Sequence, residues 1–327
     1  MRTRSVIVAA CVALATTLTA CGADGAGGGR SAENYPNRNL DWTIAFGPGG
    51  GNDIMSRTIV DILEKENLYP RDIAVQNLEG GSGAKGWGKL FSDAGDPYSI
   101  STTSGSFITT PLQADTGWTW DDFTTVGLFA TDNAVFIVSP KTGIEKWEQW
   151  VEHAKSQGTM KVGGIGTVNV DYIQHQMLAD EAGYKIDYVP FNEEGQLLTS
   201  LLSGALDAAV SNPSEVLGQV EAGKLTPLLF TGQERIEALP GVPTAEEKGF
   251  EGLPTLPRGL ILAPDVDPQV RQWWIDTMKK VIETPEWREY LDKNALVEDV
   301  RWGDDFAAYL DETSSELEKQ LRELGAL

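Results

Sequence analysis

From near its start to its end, the chain alternates short β-branched or aromatic runs with stripes of helical spacing. The runs 42–46, 73–76, 99–103, 135–138, 161–163, 188–191, 206–210, 227–230 and 259–262 predict strands. Between them, Trp147, Trp150, Val151 and Ala154 fall at i, i+3, i+4 and i+7, the apolar face of a helix. Leu197, Leu198, Leu201 and Leu202 repeat that signal, as do Val270, Trp273, Trp274, Thr277 and Val281. Strands alternating with helices predict an α/β fold of parallel sheets covered by helices. Two strands are expected to cross between lobes. The run 135–138 ends at Ser139-Pro140, and 259–262 follows the proline-rich stretch 253–257. Lobe 1 is therefore expected over 35–138 plus 260–327, and lobe 2 over 139–259. Phe306, Leu310, Leu317, Leu321 and Leu324 should fold back on lobe 1.

The first 20 residues break the pattern. Arg2 and Arg4 precede a run from Val6 to Ala20 with no acidic residue, which predicts a secretion signal. The run is shorter than the ~20 apolar residues a membrane-spanning helix needs. It ends in Leu18-Thr19-Ala20-Cys21, which resembles a lipoprotein cleavage site, so Cys21 is expected to carry lipid. Residues 21–34 have no apolar side chain large enough to pack and predict a flexible tether. The second cysteine, Cys11, lies in the leader, leaving the folded body without a disulfide. With only His153 and His175 besides, a zinc site is not expected.

The formal charge of −22 becomes −24 once Arg2 and Arg4 leave with the leader. Such acidity excludes nucleic acid as a partner and otherwise describes a solvated surface. The roughly 290 residues beyond the tether exceed what one core comfortably fills, which supports two lobes.

Three loops at predicted strand ends carry the candidate chemistry. The first, 47–53, reads Gly-Pro-Gly-Gly-Gly-Asn-Asp and opens a helix. Glycines let backbone N–H groups turn inward, and a helix N-terminus adds unpaired donors that suit a carboxylate or phosphate. The alternative is an ordinary glycine turn capped by Asn52 or Asp53. Neither the phosphate-loop Lys-Ser/Thr nor the dinucleotide glycine spacing is present. The loops 102–106 (Thr-Thr-Ser-Gly-Ser) and 163–171 repeat the arrangement, and the ends of strands are where open α/β sheets gather ligands. No nucleophile elbow, metalloprotease helix or cysteine–histidine pair is evident, so an enzyme is not expected. Asp53, Asp171 and Glu215 sit where first-turn carboxylates serve as caps, and His175 reads as a structural or surface histidine.

In their order, several segments resemble the receptors of tripartite tricarboxylate transporters, the Bug-type family. They are 35–38, 46–53, 103–106, 163–171, 189–191, 201–207, 211–215, 222–225, 239–244 and 258–260. The resemblance implies a type II periplasmic-binding-protein fold whose two α/β lobes, joined by a two-strand hinge, hold a di- or tricarboxylate such as citrate, without a cofactor. It implies ligand contacts at Gly49, Gly50, Gly51, Asn52, Asp53, Ser104 and Ser106 from one lobe. From the other come Thr167, Asn169, Asp171, Asn212 and Glu215, with Arg258 near the hinge. It further implies a monomer that docks on a large and a small integral membrane subunit; with the leader and Cys21, the protein would be extracytoplasmic and tied to the membrane. Asn192 stands where many members carry lysine, and Tyr172 where histidine is common. The alternatives from other classes are a secreted hydrolase on a similar two-lobed fold and an adhesion or sensing lipoprotein.

Overall fold

A computed structural model describes residues 34–167 and 169–327. The leader, Cys21 and almost all of the tether lie outside the described residues. The first half of the fold comprises β1 (Leu40–Ile44), α1 (Gly51–Lys65), β2 (Ile73–Asn77), α2 (Ala84–Ser92), β3 (Ser99–Thr102), α3 (Gly105–Gln113) and β4 (Thr124–Asp132). The chain then crosses into β5 (Val135–Val138), α4 (Trp147–Gln157), β6 (Thr159–Ile165), α5 (Val170–Ala182), β7 (Lys185–Phe191), α6 (Glu194–Ser203), β8 (Ala208–Ser211), α7 (Pro213–Glu221) and β9 (Thr226–Phe230). It returns through β10 (Leu256–Leu262), α8 (Pro268–Ile282), α9 (Pro285–Asn294), β11 (Val297–Trp302) and α10 (Asp304–Glu323).

Two sheets result, ordered β11-β4-β10-β3-β1-β2 and β7-β6-β8-β5-β9. All nine predicted runs fall on strands, whereas β4 and β11 were not foreseen. The sheets are mixed rather than parallel. In the first, β10 runs antiparallel to both β3 and β4, and β11 antiparallel to β4. In the second, β5 runs antiparallel to both its neighbours. The chain has to enter and leave each lobe, and those return strands run opposite to the βαβ units.

The strand 135–138, expected at the end of lobe 1, is paired on both edges inside the second sheet. Its four apolar residues are explained by burial on both faces. Phe136 and Val138 face the core that holds Trp147 and Trp150, while Val135 and Ile137 face the one that holds Leu197 and Leu201. The crossings are instead Asn133-Ala134, directly after β4, and the stretch before Leu256. A larger core covers the first sheet, where Trp42, Trp87, Phe107, Phe129, Trp274 and Trp287 are fully buried. Phe306, Leu310, Leu317 and Leu321 of α10 close it as expected. Each such aromatic is worth about 3–5 kcal/mol against truncation to alanine.

Candidate functional site

A cavity of about 200 Å³ opens between the two sheets, and the first turns or caps of five helices line it. From the first sheet come α1, preceded by the 47–50 turn, and α3, preceded by Ser104. From the second come α5, α6 and α7, contributing Asn169 and Asp171, Glu194, and Asn212 and Glu215. Gly49 has φ +84°, a left-handed conformation that L side chains rarely adopt, and this turns the chain into α1. Gly50 is the N-cap of α1 with no side-chain cap bond, so the first turn of the helix lines the cavity without a capping side chain.

Ten of the thirteen expected contacts line this cavity: Gly50, Gly51, Asn52, Ser104, Ser106, Asn169, Asp171, Asn212, Glu215 and Arg258. Three do not. Gly49 donates to Asp53 Oδ2 at 2.9 Å, and Asp53 Oδ1 accepts from Arg57 at 2.9 Å and Asn77 at 3.0 Å. Burial works against the Asp53 charge, yet these donors hold its carboxyl below the usual range. Asp53 thus braces the glycine turn ahead of α1 rather than facing a ligand. Thr167 donates its N–H to Ser82 Oγ at 3.2 Å, a contact between the two halves outside the cavity lining.

Two lining residues are spent locally. Asn169 caps α5, accepting from the Asp171 and Tyr172 amides while its own amide donates to the Ile165 carbonyl. Arg258 is not a free charge. Its Nε and Nη2 donate to Asp132 Oδ2 and its Nη1 to Asn52 Oδ1 at 2.9 Å, with both charged partners buried. Burial opposes the guanidinium charge, and Asp132 more than restores it, raising the Arg258 pKa. Asp132 was missed because β4, which ends on it, was missed.

Among the described residues, Asn52 Nδ2 and Ser104 Oγ have no hydrogen-bond partner, although Asn52 is only 3% exposed and Ser104 5%. Buried polar atoms are rarely left so. Both lie on the wall built by α1 and α3.

The opposite wall is acidic. Glu215 Oε1 accepts the Gly51 N–H at 2.8 Å across the cavity, so one of the expected ligand-binding amides already holds a carboxylate of the protein. Ser211 Oγ lies 2.5 Å from Glu194 Oε1 and 3.3 Å from Glu215 Oε2. Burial, reinforced by Glu215, pushes the Glu194 carboxyl well above its ordinary range. Burial also lifts Asp171 to about 7, against the pull of the Ile165 amide, which donates to it at 2.7 Å. Glu194 was not foreseen, nor were Phe46, Glu193, Gly195 and Leu256; Gly47, Pro48 and Ile165, from the expected loops, complete the lining with Asn192. The glycine loops were the legible part, whereas a glutamate opening α6 has no local signature.

Tyr172 is outside the lining, packed edge-on to Tyr188 at 5.3 Å. His175 is a buried structural histidine whose Nε2 lies 3.1 Å from the Gly163 carbonyl. Burial lowers its pKa to about 4 and keeps it neutral. Among the described residues, no cluster of three His, Cys, Asp or Glu side chains is placed to hold a metal.

Comparison with known proteins agrees with this geometry. Residues 57–325 match the tripartite tricarboxylate transporter family receptor. The UPF0065 protein of the gbd 5' region of Cupriavidus necator is 25% identical over 264 residues, covering 80% of each chain. Rpa4515 of R. palustris, solved with adipate, superposes with a TM-score of 0.82 at 18% identity, covering 89% of this chain and 99% of that one. MatC of Rhodopseudomonas palustris, solved with malate, gives 0.78 at 19% identity, over 88% and 100%. The fold is that of the two-lobed periplasmic binding proteins. With most of its length matched by the family, the chain belongs to the tripartite tricarboxylate transporter receptors, a family of binding proteins rather than enzymes.

Proposed function

We propose that the protein is an extracytoplasmic receptor that captures a small di- or tricarboxylate in the cavity between its sheets and passes it to large and small integral membrane subunits. The observation that carries this reading is the pair of buried, unpartnered donors, Asn52 Nδ2 and Ser104 Oγ, beside the N-termini of α1 and α3. A carboxylate oxygen placed there would satisfy both and face the positive ends of two helices. The relatives solved with malate and adipate support a carboxylate of that size, and citrate is the upper end of the same class. Attachment to the membrane through lipid at Cys21 is read from the Leu18-Thr19-Ala20-Cys21 motif; no helix among the described residues is long and apolar enough to cross a membrane.

The lobes divide at Asn133-Ala134 and in the stretch before Leu256, and a ligand that touches both stabilises the closed form. The ligand contacts are the cavity-lining subset of the expected residues, with Arg258 acting through Asn52 and Asp132 rather than as a free cation. Calorimetry and tryptophan fluorescence against malate, succinate, adipate and citrate test the assignment. Saturable binding that Ser104→Val weakens at least tenfold is expected, and no response to any of the four would refute it.

A further inference from the structure

Glu194 and Glu215 meet in a contact that needs a proton. Ser211 Oγ lies 2.5 Å from Glu194 Oε1 and 3.3 Å from Glu215 Oε2, and the two carboxyl groups also hydrogen-bond to one another. Ionised carboxylates only accept, and the single hydroxyl hydrogen of Ser211 serves one of them at a time. One of the two glutamates must therefore donate. Glu215 Oε1 already accepts the Gly51 N–H, and Arg258 favours the charged form of Glu215, so Glu215 is the anion and Glu194 the proton carrier. Among the described lining residues Arg258 is the one cation, and it spends its guanidinium on Asp132 and Asn52. The other groups facing the pair are Asp171 of α5, Tyr188 of β7 and Asp132 of β4, with Glu193 and Glu79 both beside Gly47. None of these supplies a positive charge. On the facing wall, the buried and unpartnered Asn52 Nδ2 and Ser104 Oγ mark the same cavity for an anion. A carboxylate ligand thus enters a space already lined by the carboxyl groups of Asp171, Glu193, Glu194 and Glu215.

We propose that the receptor captures its carboxylate together with a proton, carried by Glu194 in its hydrogen bond to Glu215. With the lobes apart, solvent reaches this wall and both glutamates ionise near the ordinary carboxylate range. Closure sets Gly51 on Glu215 and shields the wall, and the ligand adds its own negative charge. Both changes disfavour a second ionised glutamate, so closing around the ligand draws a proton from solution. In the closed form burial, reinforced by Glu215, holds the Glu194 carboxyl well above its ordinary range, which fixes the sign. The contribution to binding is complete below the ordinary carboxylate range and is lost as pH rises through the raised closed-form value. Affinity therefore falls with rising pH even while the ligand stays fully ionised.

This inference rests on the carboxylate-receptor reading, and counting protons separates the two. Malate, succinate, adipate and citrate are titrated calorimetrically at pH 7.5 and pH 8.5, where their own carboxyls are essentially ionised, in two buffers of different ionisation enthalpy. An acid that binds is expected to bring with it about 0.5–1 proton at pH 7.5 and to bind roughly three- to tenfold more weakly at pH 8.5. Glu194→Gln puts an N–H donor in place of the carboxyl proton, so it should abolish the uptake and bind more tightly than the wild-type protein at pH 8.5. The wild-type proton count stands without any variant. Binding to the wild-type protein with no proton uptake would overturn the proposal and leave the receptor reading standing. So would uptake that survives Glu194→Gln and disappears in Asp171→Asn, which would put the proton on Asp171. If none of the four acids binds, both fall together.

Discussion

The Gly51 amide of α1 donates to the Glu215 carboxylate of α7 at 2.8 Å, joining the two halves of the protein directly across the cavity. A hydrogen bond to a charged acceptor contributes about 1.5–3 kcal/mol. This one forms only when the lobes are together. Glu215→Ala should therefore shift the ligand-free protein toward an open form, seen as a larger radius of gyration in small-angle scattering. An unchanged radius would show that closure does not depend on the bond.

Gly51 also lies against the Arg258 guanidinium, so that an added Cβ would collide with it. Asp132 and Asn52 hold the guanidinium and leave it little room to retreat. Gly51→Ala is expected to displace Asn52 and weaken carboxylate binding at least tenfold by calorimetry. Wild-type affinity would mean that this wall adapts.

Breaking the Arg258–Asp132 pair leaves a buried, uncompensated carboxylate, at a cost of about 3–5 kcal/mol. Arg258→Met should lower the melting temperature by about 5 °C or more. Adding Asp132→Asn should recover much of the loss, because the double variant buries no lone charge. If the double variant melts no higher than Arg258→Met, the pair is not the source of the cost.

Two buried groups predict opposite pH trends. Asp171 has its pKa raised to about 7, so its contribution to stability is complete below the ordinary carboxylate range and is lost as pH rises through 7. Asp171→Asn should flatten the fall in melting temperature between pH 5 and pH 8, by an amount corresponding to roughly 1–4 kcal/mol.

His175 is lowered to about 4, so its contribution is complete above the usual imidazole value near 6.5 and is lost as pH falls toward 4. His175→Gln should retain more of its pH 7 stability at pH 4.5 than the wild-type protein does, the difference approaching about 3 kcal/mol. Parallel acid-melting curves for the two proteins would contradict this.

The glycine-rich loops and their strands could be read from sequence because both depend on local rules, backbone freedom at Gly49 and β-branched or apolar runs such as Val135–Val138. β4 escaped because Thr124, Thr125, Gly127 and Thr131 dilute its apolar positions, and only Asn133-Ala134 separates it from β5. With β4 went Asp132, and with Asp132 the fact that Arg258 is neutralised. Asn169 and Asp53 could be placed near the site from sequence, but whether their polar atoms remain available depends on partners such as Ile165 and Arg57. Glu194 and Glu215 meet only because α6 and α7 are brought together at one end of the second sheet, which no local pattern encodes.

Both chain crossings leave from β4 and β10, which are neighbours in the first sheet with Leu256 opposite Asp132. When the lobes swing, points near that shared edge travel least, and Arg258 and Asp132 sit within two residues of it. The charged pair is thus mounted at the pivot, so the floor that greets an incoming solute keeps its shape while the rims sweep shut.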